Sequence, residues 1–109
     1  MSAASAILLV HICVVRSDLP RGVLAAQLIH AAGESRSGAL PPGTHAVVLA
    51  ARDEVHLEAI ARRLAFDGLA HVQIREPDPP YLGALMAIGL HPLPGARRVE
   101  ALRRLRLLA

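Results

Sequence analysis

Ala6-Ile7-Leu8-Leu9-Val10-His11-Ile12-Cys13-Val14-Val15 is a nearly continuous run of aliphatic and β-branched residues, and its reading decides the fold. It is too short to span a bilayer. No basic segment precedes it and no small-residue cleavage site follows it, so it does not read as a secretory leader. The pattern suits a strand buried on both faces at the centre of a mixed or parallel sheet. Within it, His11 reads as a structural side chain and Cys13 as a small buried hydrophobe. Cys13 is the one cysteine of the sequence. It therefore has no intramolecular disulfide partner, as a reducing compartment would permit.

Outward from this strand, Asp18-Leu19-Pro20 has the form of a helix start, with Asp18 placed to cap and Pro20 tolerated in the first turn. Val23-Leu24-Ala25-Ala26-Gln27-Leu28-Ile29-His30-Ala31-Ala32 continues the helix, and Gly33 ends it. Residues 33–43 are rich in Gly, Ser and Pro without an apolar period, which predicts a mobile loop. A second strand is expected over 44–51. Leu57, Ile60, Ala61 and Leu64 then recur at i, i+3, i+4 and i+7, an amphipathic helix interrupted by Gly68. A short strand over 71–75, the breaker-rich Glu76-Pro77-Asp78-Pro79-Pro80-Tyr81 and a strand over 84–90 follow. Beyond Pro92 and Pro94, Val99, Leu102, Leu105 and Leu107 or Leu108 predict a closing helix with one apolar side. The expected order is β-α-β-α-β-β-α, a single α/β domain over residues 1–109 with a mixed four-stranded sheet covered by helices.

Composition supports one core. The chain has 109 residues, 53% apolar and 19% charged, and a domain of this size buries roughly 65% of its unfolded surface without a metal or disulfide framework. Phe66 and Tyr81 are its aromatic residues, too few for a base-stacking platform. The net charge is +3, and all 12 basic residues are arginine. With no lysine, no lysine general base or Schiff base is possible, whereas arginine grips phosphate with a planar fork. Genomic base composition is an equally simple source of the arginine bias. Six scattered histidines and one cysteine show no tetrahedral ligand spacing, so neither a metal nor another cofactor is expected. The turn Arg16-Ser17-Asp18-Leu19-Pro20-Arg21-Gly22 holds one glycine and lacks the dinucleotide fingerprint.

Two segments could carry chemistry. Val23, Gln27, His30 and Glu34 share a helix face, a polar stripe that begins beyond the end of the central strand. Arg21 and Gly22 adjoin it at the helix start, where free amides favour anions. A simpler reading has Gln27 and His30 satisfying backbone groups. The second segment runs from Arg75 to Tyr81, where three prolines stiffen a turn bearing a guanidinium, Glu76, Asp78 and a phenol. Its simpler reading is a solvated strand connection.

Val14-Val15-Arg16-Ser17-Asp18-Leu19, followed by Gly22-Val23-Leu24-Ala25-Ala26-Gln27-Leu28-Ile29-His30-Ala31, resembles the opening strand, turn and helix of the type 2 peptidyl-tRNA hydrolases, including their Ala-Ala-Gln-x-x-His-Ala sequence. The likeness spans roughly residues 6 to 92; the first motif is fairly specific and the remainder weak. It implies a small α/β domain, often dimeric and cytoplasmic, that cleaves the ester between a peptide and the tRNA 3′ ribose. On this likeness Gln27, His30, Glu76 and Asp78 are catalytic candidates, and Arg16, Asp18, Arg21, Gly22, Arg75 and Tyr81 are substrate-binding candidates.

Two positions depart from the family. Val23 stands where the family carries a lysine, and Met86 stands where a threonine is expected. The family aspartate falls near Glu76, with Asp78 the other possibility. His30, Glu76 or Asp78 could accept a proton, and Gln27 could orient water or stabilise an oxyanion. Arg97, Arg98, Arg103, Arg104 and Arg106 of the closing segment would contact tRNA phosphates, or form a solvated face. A membrane role is disfavoured because that segment has no aromatic anchor. The alternative is an inactive relative that binds RNA or protein, favoured by loss of the lysine. A weaker third possibility is an assembly subunit forming a homodimer through apolar helix faces.

Overall fold

The computed structural model describes residues 8–109, so Ala6 and Ile7 of the opening run lie outside the described residues. The elements are β1 (Leu9–Arg16), α1 (Arg21–Glu34), β2 (His45–Ala51), α2 (Glu54–Phe66), β3 (His71–Glu76), β4 (Ala84–Leu90), β5 (Leu93–Pro94), a 3₁₀ turn (Glu100–Leu102) and β6 (Arg106–Leu107). β1 pairs parallel with β2 along one edge and antiparallel with β4 and β5 along the other. β3 extends the sheet beyond β4 and β6 extends it beyond β2, giving the path β3-β4-β1-β2-β6.

Strand alternation divides the apolar residues between two faces. Val14, Leu85, Ile88 and Leu90 pack on one face with Leu57, Ile60, Ala61 and Leu64 of α2. Cys13, Val15, Ile74, Met86 and Ala87 pack on the other with Leu19 and Ala31. Met86 and Ala87 share a face because the register jumps between Ile74, opposite Ala87, and Arg75, opposite Leu85. The extra residue is a β-bulge, and it changes which side chains β4 presents at its start.

α2 follows from its sequence. The Asp53 side chain accepts the His56 amide at 2.9 Å and caps the first turn. Each large aliphatic residue it buries contributes about 1.5–3 kcal/mol. Gly68, at φ +70°, allows Leu69 N to reach Leu64 O at 3.0 Å and closes the helix.

α1 departs from expectation at both ends. Asp18 does not cap it, because both carboxylate oxygens are taken by Arg16, at 2.9 Å from Nε and 3.0 Å from Nη2. A two-bond charge-assisted pair outcompetes a single cap bond. Pro20 occupies the cap position, with no side-chain cap. Gly33 does not end the helix, which continues to Glu34. An interior glycine weakens a helix by about 1 kcal/mol without forcing it to stop. The stop comes at Ser35, whose Oγ donates to Ala31 O at 2.6 Å.

The closing helix is also corrected, and with it the strand count, from four to six. Val99 and Leu102 are both buried across one 3₁₀ turn, whose three-residue repeat matches their spacing. After it, Leu49 pairs with Leu107 and Ala50 with Arg106, while Leu108 N donates to Val48 O at 2.9 Å. A helix here would leave those β2 backbone groups without the bonds β6 supplies.

His11 lies on β1 against the end of α1, 6% exposed, with Nε2 2.7 Å from Ser35 Oγ. The single Ser35 hydroxyl hydrogen goes to Ala31 O, so Nε2 carries the imidazole hydrogen and donates to Oγ. Burial lowers the His11 pKa from its ordinary 6.5, and Arg36 and His91 add to the effect. As pH falls, the unfolded chain takes up this proton before the folded one. Stability should therefore decline from about pH 7 through 6.5 to the lowered folded value, at most about 1.4 kcal/mol per pH unit, then level off. Denaturant titrations across pH should show a shallower slope for His11→Gln, with the same-signed contribution of His56 retained.

Gly89 admits no side chain. A Cβ there would run into Ala31 O and lie 2.6 Å from Ser35 Oγ. Gly89→Ala should lower unfolding stability by ~2 kcal/mol, measured by urea denaturation.

Candidate active site

Glu76 ends β3 and Gln27 lies nearly two turns into α1, on the same face of the sheet. The two-residue period of β3 explains the match: Ile74 packs in the α1 core, so Glu76 points the same way. Gln27 Nε2 donates to Glu76 Oε1 at 3.2 Å, and the amide of Asp78 donates to Glu76 Oε2 at 3.2 Å. A carboxylate accepts only, which fixes the orientation of the Gln27 amide. Gln27 is 4% exposed, so the pair is held from the core side.

The connection after β3 is built by its backbone. Tyr81 N and Leu82 N donate to Asp78 O at 3.0 and 3.2 Å, and Gly83 N donates to Glu76 O at 2.7 Å. Gly83, at φ +90°, permits the return into β4. This turn faces the start of α1, where the first helical bond runs from Leu24 N to Pro20 O. The preceding amides, including those of Gly22 and Val23, have no partner within the helix. Gly22, Val23, Ala26, Gln27, Glu76, Asp78, Pro79 and Tyr81 line a cleft of about 320 Å³.

The remaining candidates lie elsewhere. His30 is exposed on α1, three residues beyond Gln27 and about 4.5 Å further from the helix start, and it does not line the cleft. Arg21 is exposed at the helix start. Arg75 points away from Glu76, as successive strand residues must, and its Nη2 lies 3.1 Å from Glu58 Oε1 on the α2 side. Arg16 and Asp18 hold each other; the Arg16 hydrogen bond moves the Asp18 pKa down, and Asp18 moves the Arg16 pKa up. Arg16 Nη1 also approaches Leu85 O at 3.4 Å, tying the turn after β1 to β4. Met86 is fully buried, and Val23 is part of the cleft wall.

Val23, Ala26 and Pro79 complete the wall without any polar signature in the sequence. The open α1 amides were signalled by the helix start at Arg21 and Gly22, although the sequence also offered Asp18 as a cap, which Arg16 takes. Among the described residues, no three His, Cys, Asp or Glu side chains gather where they could hold a metal ion. No helix among them is long and apolar enough to cross a membrane. The sequence matches no family model and no curated protein.

Replacing Gln27 with methionine keeps much of its volume and removes the donor to Glu76. Gln27→Met should reduce stability by about 1 kcal/mol in urea denaturation while leaving the far-UV circular dichroism spectrum unchanged.

Proposed function

We propose that the protein hydrolyses the ester joining a peptide to the 3′ ribose of tRNA, with the Gln27–Glu76 cleft as its reaction site. The observation that carries this reading is the carboxylate of Glu76 held at both oxygens beside the open amides of α1. Glu76 takes a proton from a water as that water attacks the ester carbonyl carbon. The carbonyl oxygen gains charge and is met by the amides of Gly22 and Val23, in the manner of an oxyanion hole. The carbon–oxygen bond to the ribose then breaks, the proton on Glu76 passes to the ribose 3′ oxygen, and the peptide leaves as its carboxylic acid, which releases its proton to water.

In this scheme Gln27 positions Glu76, and Asp78 and Tyr81 flank the incoming substrate. His30 has no part in it, since it does not line the cleft. The tRNA arm would be met by Arg21, Arg97, Arg98, Arg103, Arg104 and Arg106, all exposed, so affinity would fall as salt rises. A cytoplasmic location belongs to the same reading. So does a homodimer, with Ile29 and its neighbours Leu28 and Ala32 beside Ala46 and Val48 as an apolar strip for a second copy.

Val23 favours a second reading, a non-hydrolytic relative that binds RNA or protein through the same scaffold. An aliphatic side chain in the cleft wall can neither hold a phosphate nor orient water.

Incubation with labelled peptidyl-tRNA separates the two. The hydrolase reading expects release of free peptide, a loss of about 100-fold or more in Glu76→Gln, the usual scale for a general base, and a change below about threefold in His30→Ala. Cleavage appearing only in Val23→Lys would support a degenerate site. Silence from both proteins with retained tRNA binding would select the RNA-binding alternative.

A further inference from the structure

A second cleft, of about 370 Å³, opens where β1 and β2 end, and Ser17, Ala50, Ala51, Arg52, His56, Arg104, Leu105 and Arg106 line it. Three arginines and a histidine thus border one space, and neither aspartate nor glutamate is among the lining residues. Among the described residues, ion pairs engage Arg16, Arg63, Arg75 and Arg103, not Arg52, Arg104 or Arg106. The nearby carboxylates are committed. Asp53 accepts the His56 amide at 2.9 Å, and Glu54 Oε2 accepts Leu85 N at 2.8 Å.

We infer that Arg52, Arg104, Arg106 and His56 form a binding pocket for a phosphate group, distinct from the Gln27–Glu76 cleft. Like charges gathered in one recess repel each other and concentrate a positive field that draws an anion. The donor set suits phosphate better than carboxylate, because three arginines border the recess where a single fork would saturate two carboxylate oxygens. His56 supplies a further donor. Its Nδ1 accepts the Arg52 amide at 3.0 Å, so the neutral ring carries its hydrogen on Nε2. Ser17 adds none, because its hydroxyl donates to Ala51 O at 3.1 Å.

The pocket exists because residues 103–108 do not form a helix. Pairing of Arg106 with Ala50 brings the closing segment alongside the end of β2, and Arg104 and Arg106 arrive beside Arg52. The inference does not depend on ester hydrolysis in the first cleft. The shared chemistry is a phosphate carrying at least one charge, supplied either as a small free phosphate or as a phosphodiester of an RNA strand.

The test is a titration of the full chain with inorganic phosphate, with an RNA dinucleotide and with acetate, followed on the His56 imidazole by NMR and assigned with His56→Gln. Burial and Arg52 hold the His56 pKa below 6.5 in the free protein, against the opposing effect of Asp53. A bound anion offsets the field of Arg52 and adds negative charge beside the ring, so His56 should titrate at higher pH with ligand present. A response to inorganic phosphate would assign a small phosphate ligand; a response confined to the dinucleotide would assign a phosphodiester. Arg104→Gln and Arg52→Gln should each weaken binding about tenfold, with Arg36→Gln, beyond the far end of α1 and outside the pocket wall, leaving it unchanged. The proposal is overturned if neither phosphate probe moves His56, if acetate moves it equally, or if Arg36→Gln weakens binding as much as Arg104→Gln. The unmodified chain decides the first two outcomes even where a variant fails to fold.

Discussion

Burial of β1 on both faces and along both edges is the constraint on which the remaining structure depends. Val14 and Val15 have no solvent exposure, so successive side chains of one strand need apolar cover on opposite sides. α2 supplies it on one side, and α1 with Leu19 on the other. Backbone amides and carbonyls buried with them need partners as well, and β2 and β4 provide these from the two edges. A strand enclosed in this way reaches open space at its ends. Both clefts open at the carboxyl end of β1, one lined by Ser17 and the end of β2, the other by the start of α1 and the end of β3.

Strand alternation then sorts the polar groups. On β3, Arg75 and Glu76 are adjacent in sequence and face opposite sides, one bound to Glu58 and the other to Gln27. The bulge in β4 places Met86 and Ala87 together beneath α1 while Leu85 still faces α2. On α1, the absence of a side-chain cap leaves amides available beside the Glu76 carboxylate. That availability follows from Arg16, which occupies Asp18 and ties the turn to β4.

The two clefts differ in charge although they share the same end of the sheet. The first sets a carboxylate pair, Glu76 and Asp78, against helix amides, an arrangement suited to moving a proton beside a developing oxyanion. The second presents Arg52, Arg104 and Arg106 without an acidic partner in its wall, an arrangement suited to holding an anion. The two arrangements sit on different elements, one on the β3–β4 turn and the start of α1, the other on the strand added outside β2.

Local pattern was sufficient for the core elements. The apolar run of β1, the four-residue and three-residue spacing along α2 and the β-rich segments of β3 and β4 each carry a period that one packing solution satisfies. The strip on α1 and the proline-rich turn after β3 were legible as polar features, since such groups stand out against apolar surroundings. Other outcomes depended on competition between distant partners. Asp18 chose a guanidinium over a helix amide, and Gly33 stayed helical while Ser35 ended α1. Residues after Val99 gave up a helical period to complete the hydrogen bonding of β2. His30 has the spacing of the Gln27 face yet is exposed and does not line the cleft. Sequence alone determined which segments had to bury their side chains, because hydrophobic periodicity is a local property. Tertiary structure decided which polar groups meet, because a hydrogen bond or ion pair between residues 49 positions apart, such as Gln27 and Glu76, exists only once the sheet has fixed both ends.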